Sequence, residues 1–175
     1  LIALDPGLTA KLLRLTNASH FGANSKVVTA DQAAALLGSK QLLQMAAVTS
    51  HHNPALQLPS DALLPFWRRS IATAFCAKAI ARTRNMKHDY AYTAGLLHRC
   101  GELVLMLHPG LQLTTPEGNI PLTTIQAGTA LAHQWQFADT LTDALTNFTA
   151  PPEDPHQLLA AVVHLAEAFV TALDI

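Results

Sequence analysis

The feature that most constrains this chain is the spacing of its apolar residues. They recur at steps of three and four nearly everywhere, and no stretch alternates convincingly with period two. Steps of three and four repeat one face of an α-helix, whereas a half-buried strand needs strict alternation. The expected class is therefore all-α, an irregular bundle of seven or eight helices. The connections are short, so consecutive helices should be antiparallel neighbours.

Local signals place the helices. In LDPGLTAKLLRLTN, Asp5 can cap a helix, Pro6 suits its first turn, and Leu8, Leu12 and Leu15 share a face. Asn17, Ser19, Gly22, Asn24 and Ser25 read as a loop. Thr29 and Gln32 form a capping box for a second helix that stops at Gly38. A third runs from Ser39 to His51, with Leu42, Leu43, Ala46 and Ala47 inward. The segment HNPALQLPSDALLP is turn-rich, and the longest helix follows Pro65, from Phe66 to Asn85. Its expected buried stripe is Trp67, Ile71, Ala74, Phe75 and Ile80. Asp89 can cap the next helix, which carries AGLLHRCGELVL, and Pro109–Pro121 reads as a loop. Helices over Thr123–Trp135, Asp139–Phe148 and His156–Leu173 complete the chain. The last has a stripe of Leu158, Val162, Leu165, Phe169 and Leu173 beside Ala166, and the preceding APPEDP is a rigid turn.

At 175 residues the chain suits one domain, residues 1–175. Only 13% of residues are charged, so much of the surface must be uncharged or covered by something else. Because LIALDPG enters structure at once, the chain is expected to be part of a longer protein. Apolar runs such as Ala91–Leu97 and Leu103–Leu107 are too short to span a bilayer, and no basic-then-apolar leader is present. A cytoplasmic protein without a membrane partner is expected. Cys76 and Cys100 lie in apolar helical surroundings and read as buried free thiols. Residues 1–101 carry all 11 Lys and Arg against four acids, whereas residues 102–175 carry eight acids and no Lys or Arg. Such halves attract each other when packed.

Several stretches, in order, resemble one family: DPGLTAKLLRLTNASHFG (5–22), AAALLG (33–38), FWRRS (66–70), AGLLHRCGELVL (94–105), TALAHQWQF (129–137) and VVHLAEAF (162–169). Together they are similar to the HDOD domain, the HD-related output domain of bacterial signalling proteins. The resemblance implies an all-helical fold whose usual first helix is missing here. It also implies a place downstream of a receiver domain or beside cyclic-nucleotide signalling domains. The family is related to HD phosphohydrolases, whose metals are held by a helical His, a His-Asp pair and a later Asp. Carried over by resemblance, the first His position is Arg69, the His-Asp pair is His98 and Arg99, and the late Asp is Glu167. Where relatives show further histidines, this chain has Thr124, Asn147 and Phe148.

Arginine has no lone pair for a cation, and unit charges ~4 Å apart repel by about 4 kcal/mol at an effective dielectric of 20. Neither a resident metal nor a cofactor is therefore expected, and a metal-dependent phosphohydrolase is the remotest reading. The leading expectation is a non-catalytic output module of a response regulator or similar multidomain protein. Its partner is a protein of the same pathway, an attached receiver domain being one candidate, and a homodimer is left open. The alternative is a sensor for an anion or nucleotide, using the remnant pocket positions Arg69, His98, Arg99, Glu102, His164 and Glu167. Against it stands a satisfied polar network in which the arginines pair with Glu102 or Glu167. Arg68, Lys78, Arg82, Arg84 and Lys87 form a run without acids, read either as a basic docking face or as a solvated helix face. The overall charge of −1 and the lack of a recognition motif argue against nucleic acid. The adjacent His51 and His52 point about 100° apart on a helix, which suits an exposed helix end better than a metal pair.

Overall fold

A computed structural model describes residues 2–18, 26–51, 58–115, 118–150 and 157–175. It is all-α, as the spacing requires. After a 3-10 turn at Ile2–Leu4, helix α1 spans Pro6–Asn17 and α2 spans Ala30–His51. The Asp5 carboxylate accepts the Leu8 N–H at 2.9 Å, so the expected cap forms. The buried face of α1 is Thr9, Leu12, Leu13 and Thr16, rotated from the expected leucine stripe, and Leu15 is exposed. Threonine can turn inward because its hydroxyl finds a carbonyl: Thr9 donates to Ile2 O and Thr16 to Leu12 O, both at 3.0 Å. Buried Asn17 ties the far side of the following loop to α1. Its side chain donates to Val27 O at 2.9 Å and accepts from Val27 N at 2.7 Å.

The Thr29–Gln32 capping box is present, with the Gln32 N–H on the Thr29 hydroxyl and the Gln32 side chain accepting from the Thr29 N–H, each at 3.2 Å. The two helices expected around Gly38 are two segments of α2 joined at that residue, whose φ of 74° favours glycine. In the second segment Leu42 and Met45 pack partly on the core, while Leu43 and Ala47 are exposed, contrary to the inward face expected for them. His51 ends α2, and His52 lies outside the described residues, as do most of the loop after α1 and the rigid turn before the last helix.

Helix α3 spans Ser60–Thr83 and begins six residues before the expected start, with Pro65 inside it. The proline withholds a hydrogen bond only from the Asp61 carbonyl, in the exposed first turn where water can take its place. Its buried face is mostly small: Leu63, Phe66, Ser70, Thr73, Ala74, Ala77 and Ala81. Of the expected stripe, Ala74 is buried, whereas Phe75 is exposed and packs edge-on against Tyr92.

The helix expected to run through His98 is two helices, α4 (His88–Leu97) and α5 (Cys100–Leu107), with a turn at His98–Arg99. The expected loop after α5 contains a two-stranded antiparallel hairpin, β1 (Gln112–Thr115) with β2 (Gly118–Pro121), Leu113 opposite Ile120. Strands of four residues allow too few alternations to register as a pattern.

Helices α6 (Thr124–Gln134), α7 (Asp139–Asn147) and α8 (Leu158–Ala172) follow close to their expected bounds. The main core gathers Leu12, Leu13, Leu97, Leu141, Leu145 and Val163 between α1, α4, α7 and α8. Helix α8 is rotated from the sequence reading. It buries Ala160, Val162, Val163, Ala166 and Val170 and leaves Leu158, Leu165, Phe169 and Leu173 exposed. The reason is fit: Val162 and Ala166 sit against Ala77, Ala81 and Ala91, a seam of small residues where Phe or Leu would force the helices apart. Among the described residues no helix is long and apolar enough to cross a membrane.

Candidate functional site

The α4–α5 turn presents two consecutive side chains to α8. His98 follows the last residue of α4 and is buried at 4% exposure. Its Nδ1 lies 2.6 Å from Gly95 O and its Nε2 lies 3.0 Å from Glu167 Oε2. Both neighbours are oxygen atoms, one of a backbone carbonyl and one of a carboxylate, so both ring nitrogens lie in hydrogen-bond reach of an acceptor. The face of the ring is closed by Phe148, edge-on with centroids 5.1 Å apart.

Arg99, half-buried, bridges two carboxylates. Its Nε donates to Glu102 Oε2 at 2.6 Å and its Nη1 to Glu167 Oε1 at 3.1 Å. Thr73, from α3, donates its hydroxyl to Glu167 Oε2 at 3.0 Å. Four elements thus close one network: α3, the α4–α5 turn, α5 and α8. Burial alone would push the Glu167 carboxyl up. The hydrogen bonds from His98 and Thr73, with the charges of His98 and Arg99, outweigh it and hold the group at about 2. Burial likewise works against the charge on Arg99, and Glu102 and Glu167 overcome it, raising its pKa further.

His98, Arg99, Glu102 and Glu167 line a pocket of about 610 Å³ between α5, α6 and α8, along with Phe148 and His164. Thr124 lines it too. The structure therefore brings together His98, Arg99, Glu102, His164 and Glu167 of the residues expected from sequence. It corrects one detail: Arg69 is not in the pocket lining, and its Nε donates to Ile175 O at 3.2 Å. The Nδ1 of His164 donates to Phe148 O at 2.9 Å. Thr73 was not legible as a site residue, since a threonine in a helix carries no chemical signature, whereas Thr124 and Phe148 stand at positions that the resemblance had already marked.

The donor set does not fit a bound metal. A ligand histidine must offer a lone pair, yet both His98 nitrogens face acceptors. The guanidinium occupies the two carboxylates that would supply oxygens. Among the described residues no group of three or more His, Cys, Asp or Glu is placed to hold a metal ion.

The candidate basic face is drawn out along α3. Arg68 and Arg82 are both exposed and stand about 21 Å apart, at 1.5 Å per residue. Arg84 and Lys87 are exposed as well, and Lys87 lies over the Tyr90 ring at 4.7 Å. Lys78 pairs with Asp89 at 2.8 Å. Neither cysteine is in a disulfide. Cys76 is half-buried rather than buried, and full burial pushes the Cys100 thiol up to about 12.

Comparison with known proteins agrees with this architecture. An uncharacterised protein of Treponema pallidum (strain Nichols) is 27% identical over 182 residues, covering 93% of this chain. The chain spans only 35% of that relative's length. The crystal structure of the MmoQ response regulator from Methylococcus capsulatus str. Bath superposes with a TM-score of 0.74 at 22% identity, covering 97% of this chain and 75% of that one. A virulence factor (cj0248) from Campylobacter jejuni subsp. jejuni superposes with a TM-score of 0.64 at 18% identity, covering 95% and 69%. At these identities the structures share the fold. The family model for the HDOD domain matches residues 1–115, about two thirds of the sequence, and the chain belongs to the HDOD domain family.

Proposed function

We propose that this domain is a non-catalytic module of signal transduction, working by contact with other protein surfaces inside a longer protein. One observation carries the reading: His98, Arg99, Glu102 and Glu167 are spent on one another. A phosphohydrolase needs lone pairs free for a cation that generates hydroxide. An anion sensor needs a free cation, but this guanidinium is already shared by two carboxylates. The network instead locks α3, α5 and α8 around a turn, which suits a body whose surface is its product. Two facts support contact as the mode of action. Leu165, Phe169 and Leu173 leave an apolar stripe on the outer side of α8. One solved structure with this fold is that of a response regulator.

The test is metal content and turnover together. Purified protein, exposed to Mn²⁺ and then desalted, should contain no stoichiometric metal by elemental analysis and should not hydrolyse bis(p-nitrophenyl) phosphate. Arg99→Asp, which restores a carboxylate and releases Glu102 and Glu167, should gain thermal stability when Mn²⁺ is added. A parent protein that retains one equivalent of metal and cleaves the diester would overturn the proposal.

A further inference from the structure

A second pocket shares helix α5 with the His98 network but is lined by other residues, and nothing in the proposed function uses it. It measures about 440 Å³ and is walled by α1, α5 and α6 with Trp67 of α3. That volume is within the roughly 300–1,000 Å³ typical of small-molecule sites. Its walls are mostly apolar, with Leu103, Leu107 and Leu131 and two indoles, Trp67 and Trp135, among them. The thiol of Cys100, which burial keeps protonated, also lines it.

The charged groups at this pocket are unequal. Asp5 is engaged as the cap of α1, accepting from Leu8 N at 2.9 Å. Lys11 lines the pocket, and no carboxylate among the described residues lies within ion-pair distance of it. A second cation, Arg14, stands 5.2 Å from the centroid of the Trp135 ring. His108 and Gln134 add groups able to donate a hydrogen bond. An apolar chamber with available cations beside it matches a molecule with an apolar body and one anionic head. We propose that this pocket binds an amphipathic organic anion, a carboxylate on a single aliphatic chain or aromatic ring, with the body between the indoles and the head on Lys11.

The chain makes the test direct. Trp67 and Trp135 are its only two tryptophans, and both line this pocket, so indole fluorescence excited selectively at ~295 nm reports from it alone. The probe is 11-bromoundecanoate, whose bromine quenches indole on contact. Its titration should quench in a saturable manner, and decanoate below its micellar concentration should reverse the quenching. Decanol, with the same body and no charge, should compete more weakly. Lys11→Met should weaken decanoate about tenfold and leave decanol unchanged, the loss expected of one charge-assisted contact. Val104→Phe, which puts a ring into the cavity, should abolish quenching while circular dichroism shows an intact helical fold. The proposal is overturned if folded parent protein shows no saturable quenching, if decanol competes as well as decanoate, or if either variant binds like the parent.

Discussion

Replacing Arg99 by methionine isolates what the guanidinium does. The stem is kept and the charge is lost, which leaves Glu102 and Glu167 facing a site without their shared cation. The contacts removed are at 2.6 and 3.1 Å. Unit charges ~4 Å apart attract by about 4 kcal/mol at an effective dielectric of 20, and breaking a buried pair costs about 3–5 kcal/mol. The three side chains keep 25%, 25% and 18% of their exposure, so solvent screens part of that, as it does for surface pairs worth about 0–1 kcal/mol. The expected cost lies between, at about 2 kcal/mol. For a chain of this length it corresponds to a fall in Tm of about 4–8 °C. Urea unfolding followed by circular dichroism at pH 7 and 0.1 M salt measures it. In a Glu167→Gln background the same substitution should cost less than about 1 kcal/mol, because one of the two orphaned charges is gone. If Arg99→Met is within about 0.5 kcal/mol of the parent, or costs the same in both backgrounds, the guanidinium is not holding the carboxylates and the reasoning fails.

Four further expectations can be checked with the same equipment. Glu167 is held near 2, below its unfolded value of ~4.3, so its contribution is complete above that value and is lost as pH falls through 2. The parent should lose about 2 kcal/mol more than Glu167→Gln between pH 5 and pH 2, and equal losses would contradict it. Gly101→Ala should destabilise by about 1–3 kcal/mol, since an added Cβ would overlap the Thr124 carbonyl and force α5 from α6; an unchanged denaturation midpoint would show that the two backbones are not in contact. Asn17→Ala should cost about 2–3 kcal/mol by stranding the N–H and carbonyl of Val27, and amide hydrogen exchange at Val27 should speed up. Leu165→Glu with Phe169→Glu should leave stability within about 0.5 kcal/mol, because both side chains lie outside the core; a larger loss in thermal melts would mean that they pack inward.

The sequence by itself determined where most helices lie. Caps and breakers act over three or four residues, so Asp5, the Thr29–Gln32 box and Gly38 can be read without a partner in view. It also placed an arginine beside His98, and a guanidinium has no lone pair to offer a cation. Tertiary packing decided which helix face is inside. Apolarity pointed to Leu158, Leu165, Phe169 and Leu173 on α8, but the neighbouring seam of Ala77, Ala81 and Ala91 admits only small side chains, so the bulky ones stay outside. On α1 two threonines displaced a leucine because carbonyls were in reach of their hydroxyls. Tertiary packing also chose the partners of Arg99: Glu102 is three residues away, but Glu167 is 68 residues on. Local spacing cannot fix such a pair, because its geometry exists only once α8 has docked beside the α4–α5 turn.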